Sequence, residues 1–134
     1  MANALYDKGR EGILDGSISV PGDAITCLLA TSGYTPNLAT HQFVSDIGPG
    51  NIVARSGAFA SKTMTGGVFD AADITLGSVS GSAVTYLVLY KNTGTDATSR
   101  LIGIIDTATN LPITPNGGSI TIAWDAGANR IFKL

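Results

Sequence analysis

The segment "SAVTYLVLYKN", Ser82–Asn92, is close to continuously apolar from Val84 to Tyr90. An amphipathic helix would break such a run with polar residues every third or fourth position, and a half-exposed strand would alternate. A short apolar run rich in valine, leucine and tyrosine fits a strand covered on both faces. The segment therefore predicts a central, buried strand, and the rest of the chain has to supply its neighbours and its cover.

Candidate neighbours lie on either side. Downstream, "TGTDATS" (93–99) turns the chain into "RLIGIIDT" (100–107), with Leu101, Gly103 and Ile105 on one face. Upstream, "ITCLLA" (25–30) is a second apolar run, and the alternation of Ile18 and Val20 in "GSISV" predicts a hairpin across "PGDA". "NIVARS" (51–56) reads as a short strand. "SKTMTGGVFDAADITLGSVSG" (61–81) reads as a broken pair, with a bulge or bend at Gly66-Gly67. "SITIAWD" (119–125) places Ile120, Ile122 and Trp124 on one face, and "RIFKL" (130–134) is its predicted hairpin partner across "AGAN". The stretch from Thr31 to Asn51 lacks strand periodicity, and Asn37 is placed to cap one short helix near residues 37–46, ended by "GPG". About eight strands with regular turn signals predict an all-β, single-domain, antiparallel β-sandwich or jelly roll, with a small barrel as a further option.

The two ends raise a separate question. Residues 1–16 form a distinct N-terminal arm ahead of a β-domain spanning 17–134; Leu5, Tyr6, Ile13 and Leu14 alternate there with charges. Asn3 suits the cap of one helical turn, while Gly9 and Gly12 weaken any longer helix. Such an arm either straps its own domain or reaches a neighbouring subunit. The closing Ile131, Phe132 and Leu134 are likewise suited to burial in their own sheet or against another chain.

Composition narrows the function. Charged residues make up 13% of the 134 residues, about half the roughly 25% of ordinary soluble domains. Glutamate occurs once, at Glu11, and lysine at positions 8, 62, 91 and 133. At this mass a folded monomer exposes on the order of 6,600 Å², which is much area for eighteen charges and favours association into a larger assembly. A net charge of −2 and a pI near 5.0 argue against nucleic acid as a partner, which calls for a basic face. No apolar run reaches membrane-spanning length, and the N-terminus lacks a signal-peptide pattern. The lone Cys27 fits a buried thiol and synthesis in a reducing cytoplasm.

Signals for chemistry are weak. One histidine, His41, would have to serve any Ser-His-Asp arrangement, and "GSVSG" puts Val79 where a nucleophile elbow needs serine. One Cys and one His do not make a zinc site. Asp70 and Asp73 in "FDAAD" lack calcium-loop spacing, no carboxylate pair marks a glycosidase, and Trp124 shares its face with core isoleucines rather than standing out as a sugar platform. No catalytic, metal or cofactor residues are assigned, and the protein is not expected to be an enzyme.

Four blocks carry a resemblance. "MANALYDKGREGILDGSI" (1–18), "ATHQFVSDI" (39–47), "TGGVFDAAD" (65–73) and "LYKNTGTDATSRLIGIIDT…LPITPNGGSITIAWDAGANRIFKL" (89–134) resemble a family of small structural proteins of tailed bacteriophage virions. The resemblance implies a virion component, with capsid decoration (cement) as the expected role. It implies placement on the capsid exterior after synthesis in the host bacterial cytoplasm. The implied partners are the major capsid protein and further copies of this chain, as an oligomer such as a trimer, with no nucleic acid and no membrane. Leu5, Tyr6 and Arg10 in the arm, with Phe132 and Leu134 at the other end, are the candidate partner contacts. Two other roles stay open: a different virion part (tail tube, head–tail joining or baseplate), and a non-enzymatic module binding a glycan or host surface.

Overall fold

The computed structural model describes residues 4–107, 111–124 and 131–133. The strand predicted to be central is central. β1 (Ala4–Leu5), β2 (Ile25–Ala30), β3 (Ile52–Arg55), β6 (Tyr86–Lys91) and β7 (Leu101–Ile105) form an antiparallel sheet in the order β1-β7-β6-β2-β3. β6 sits between β2, with Cys27 opposite Leu89, and β7, with Val88 opposite Ile104. All six residues of β2 are buried, as are Leu87 to Tyr90 of β6 and Leu101 to Ile104 of β7.

Side chains alternate across a strand, so these three strands make two cores. On one face Ile25, Cys27, Leu29, Leu89 and Ile102 join one apolar cluster; on the other Leu28, Val88, Tyr90, Leu101 and Ile104 join a second. Tyr34, Val44 and Ile47, from the long 31–51 connection, cover the second face together with Tyr6. The first face is covered by a lobe made of residues 56–85, 111–124 and 131–133. It contains two ribbons, β4 (Val68–Phe69) with β9 (Phe132–Lys133), and β5 (Ile74–Leu76) with β8 (Ile120–Ile122).

The domain is therefore mostly antiparallel β with one α-helix among the described residues, and its strands divide into three separate sheets rather than a single closed sandwich or jelly roll. Two hairpin expectations fail. Residues 17–24 form a turn, not a strand, because the Asp23 carboxylate accepts the Ser19 N–H (2.7 Å) and the Ile18 N–H goes to Gly12 O (2.9 Å). β8 and β9 do not pair with each other; each adds to a different upstream strand. The predicted helix near residues 37–46 is interrupted. Asn37 does cap, accepting the N–H groups of Ala39 and Thr40 (both 3.1 Å), but only for one turn. Phe43 then bridges to Arg100, and a short 3-10 turn follows at Val44–Asp46. The Leu101 N–H to Gln42 O bond (2.9 Å) shows why: this stretch is drawn out to meet the start of β7.

The α-helix is α1 (Asp7–Asp15), where two glycines had argued against one. Both glycines are buried, and both are contact points. A Cβ on Gly9 would lie 2.7 Å from Ile102 O and 2.8 Å from Leu101 O; one on Gly12 would lie 2.7 Å from Ile18 Cδ1 and 2.9 Å from Arg100 Nη2. Residues 4–15 thus lie along the outer edge of β7, first as β1, then through the Tyr6 N–H to Ile102 O bond (3.0 Å), then as the helix. Arg100 adds a hydrogen bond from its guanidinium to Lys8 O (2.7 Å). Covering an open strand edge is a common protection against edge-to-edge pairing.

This geometry reverses the usual sign of a helical glycine substitution. On propensity alone, Gly→Ala inside a helix stabilises by about 1 kcal/mol. Here Gly9→Ala is expected to destabilise by about 2 kcal/mol, because the clashing atoms are backbone. Gly12→Ala, facing side-chain ends that can yield, is expected to cost about half as much. Gly57→Ala, with open space around the site, should stay within about 0.5 kcal/mol. Urea denaturation of the three variants checks the order.

Candidate functional site: two ends of different character

The four described candidate contact residues fall at two places. Leu5 is half-buried opposite Gly103, where a Cβ would stand 3.1 Å from its Cδ2. Arg10 is exposed and pairs with Asp7 (3.1 Å). Tyr6 is fully buried, which leaves it no surface for a partner in this conformation. Phe132 is half-buried, its ring 5.2 Å from that of Phe69. Leu134 lies outside the described residues.

Burial of Tyr6 has a specific cause. Its hydroxyl meets the Tyr34 hydroxyl at 2.8 Å, and the Tyr34 hydroxyl meets His41 Nδ1 at 2.9 Å. The Asn37 N–H also points at Nδ1 (3.2 Å), so that nitrogen acts as an acceptor. Proton order along the chain follows: Tyr34 donates to His41, and Tyr6 donates to Tyr34. Burial, followed by this bond, pushes the Tyr6 hydroxyl far above the ordinary phenol range. Burial pushes Tyr34 up to about 12, although the bond from Tyr6 acts the other way. Nearby, burial tends to raise the Asp46 carboxyl, but the Phe43 and Gln42 N–H groups that it accepts (3.0 and 2.8 Å) and His41 outweigh it and hold the carboxyl low. The one histidine is thus tied into the joint between the N-terminal segment and the 31–51 connection. Cys27 is sealed in the core, its thiol pushed up to about 12 by burial.

The lobe is held by aromatic rings. Trp124 packs on Phe59 (5.2 Å), Phe59 on Phe69 (6.1 Å), and Phe69 on Phe132. Trp124 is half-buried, with its indole N–H given to Ala72 O (3.1 Å) and its backbone N–H to the Asp73 carboxylate (3.0 Å). Much of the lobe's exposed surface is small and neutral, with Asp73, Lys133 and Met64 as exposed exceptions. On the β5–β8 ribbon, Thr75 and Thr121 stand opposite each other, both exposed, with hydroxyls 3.1 Å apart. The lobe residues 56–85, 111–124 and 131–133 contain four charged side chains, Lys62, Asp70, Asp73 and Lys133, whereas residues 4–55 contain eight and 86–106 four. The Lys62 ammonium is bound to Asp23 O (2.6 Å), and Asp73 serves the Trp124 backbone.

The sequence reading missed this segregation, although a count of charges along the chain carries it; the alternation of strands drew attention to the apolar faces instead. Among the described residues, no three His, Cys, Asp or Glu side chains converge as a metal site would require. No protein-family profile matches the chain, and no curated protein matches it in sequence.

The proton order predicts unequal costs within the tyrosine pair. Tyr34→Phe removes a donor and an acceptor at once and is expected to destabilise by about 2 kcal/mol, whereas Tyr6→Phe, losing one donated bond, costs about 1 kcal/mol. His41→Asn, which restores an acceptor near the Nδ1 position, should be milder than His41→Ala. Chemical denaturation at neutral pH measures all four.

Proposed function

We propose that this chain is a structural component of a tailed-phage virion, acting as a capsid decoration protein that seats on the outer shell. The observation that carries the reading is the neutrality of the folded surface. An accessible area of 6449 Å² is served by eighteen charged side chains, several of them paired with each other, as in Arg55–Asp96 (2.6 Å) and Lys91–Asp23 (3.2 Å). Such a surface desolvates at low cost against protein, since charge is what interface cores exclude. It offers little to phosphate groups. The four sequence blocks that resemble small phage structural proteins support the same reading.

The fold suits the role. The chain reaches its structure through apolar burial and its own hydrogen bonds, and the lobe layered on the five-stranded sheet is best read as a β-sandwich whose second layer is split in two. Repetition over a shell would let modest individual contacts add up through avidity. We take the partners to be the major capsid protein and copies of this chain, trimeric by expectation, on the capsid exterior after synthesis in the host cytoplasm.

The test is quantitative mass spectrometry of purified virions of the source phage, scaled to the major capsid protein. A copy number comparable with that protein is expected. A few copies or a few tens per particle would transfer the chain to the tail or connector. Absence from the particle would refute the virion reading and favour the binding-module alternative.

A further inference from the structure

We infer that His41 is an acid-sensitive latch on the N-terminal segment: its neutral ring holds residues 4–15 against the sheet, and a proton on Nδ1 loosens them. The inference stands apart from the shell reading above and does not depend on it. It begins with the atom that titrates. The Asn37 N–H (3.2 Å) and the Tyr34 hydroxyl (2.9 Å) are both directed at Nδ1, so the neutral ring carries its proton on Nε2. A second proton can therefore sit only on Nδ1, the atom that anchors the tyrosine pair.

Two hydrogen bonds join Tyr6, Tyr34 and His41. With the ring neutral, the two hydroxyl protons fill both. A charged ring brings a third proton to the same two bonds, and one donor is left over whichever way the hydroxyls turn. If His41 and Tyr6 both donate to Tyr34, the Tyr34 proton is stranded. If Tyr34 donates to Tyr6 instead, the stranded proton is that of Tyr6. Both side chains are buried, Tyr34 2% and Tyr6 0% exposed, and a buried donor without an acceptor is costly. Neither tyrosine relieves this by ionising, because burial holds both hydroxyls above the ordinary phenol range. The Asn37 N–H meanwhile faces another N–H in place of an acceptor.

The surrounding groups leave this conflict in place. Tyr86 stands edge-on to Tyr34 (6.0 Å) and adds no hydrogen bond to the three. The Asp46 carboxylate attracts a charged His41 ring, which eases addition of the proton. His41 and Asp46 both belong to the 31–51 connection, so that attraction is kept whether Tyr6 stays or leaves. What differs between the two states is the tyrosine pair. Tyr6 lies between β1 and α1, close to the chain terminus, whereas Tyr34 is held at both ends by the connection. Tyr6 is thus the partner that gives way, and its departure uncovers the edge of β7, where Ala4 and Leu5 pair with Ile104 and Gly103. Attachment is complete while the ring is neutral and weakens as the pH falls through the range where histidines charge, about pH 8 to 5.

The chain has one histidine, which isolates its ring for the experiment. Hydrogen–deuterium exchange of the full chain is read at the Tyr6 and Asp7 amides at about pH 7.5 and about pH 5, as protection factors that remove the intrinsic pH dependence. The inference expects protection there to fall at least about tenfold relative to the amides of β2 and β6. His41→Asn keeps an acceptor but cannot charge, and its protection should change by less than about twofold over the same interval. A proton NMR titration of the His41 Cε1–H in the unaltered chain supplies a second readout. Its midpoint should coincide with that of the loss of protection, and this comparison decides the matter if the variant fails to fold. Unchanged protection in acid, an equal fall in His41→Asn, or midpoints that differ would each overturn the latch.

Discussion

Three strands with apolar side chains on both faces have to be covered on both faces, and the architecture is the answer to that requirement. β2, β6 and β7 bury residues at consecutive positions, and each large side chain removed from water contributes roughly 1.5–3 kcal/mol. A sheet of such strands left open on one side would forfeit half of that. The chain spends its irregular segments on this cover. The 31–51 connection closes one face with Tyr34, Val44 and Ile47, and the lobe closes the other with Phe59, Phe69, Leu76 and Ile122. What looked in the sequence like an unusually long loop is a layer of the fold.

The edge of β7 poses the remaining problem. β6 occupies one side of β7, and the other would expose unpaired backbone groups next to buried leucine and isoleucine. Residues 4–15 take that position, and they fit because Gly9 and Gly103 leave out side chains where main chains approach closely, and Gly12 does so where the Ile18 and Arg100 side chains pack. The tyrosine pair fastens this segment from the second face, through Tyr34 and His41 to the 31–51 connection. A segment whose glycines read as helix breakers is in this setting a helix shaped by tertiary contact, which outweighs the modest propensity penalty.

Much of this was legible from local pattern. The apolar runs at 25–30, 84–90 and 101–105 announce the buried sheet, and the small interruptions at "PGDA", "TGTDATS" and "NGG" mark real turns. The pairing of the late strands was not legible. "SITIAWD" and "RIFKL" look like one hairpin, yet β8 joins Thr75 and its neighbours while β9 joins Phe69, because the aromatic packing of Phe132 on Phe69 and Trp124 on Phe59 is a long-range choice. Nor could pattern decide whether Tyr6 faced a partner or the core, since an aromatic between charges is compatible with both. The distribution of charge along the chain was readable throughout.

The same architecture fixes the state of the N-terminal segment. Residues 4–15 complete the sheet and are therefore occupied within the chain. Hydrogen–deuterium exchange on the isolated chain tests this most directly, read at the amides of Tyr6 and Asp7, which donate to Ile102 O and Leu38 O. Protection factors comparable with those of β2 and β6 are the predicted result. Exchange as fast as at the exposed Gly57 and Ala58 would mean that the segment is detached in solution, and would contradict the account of the β7 edge.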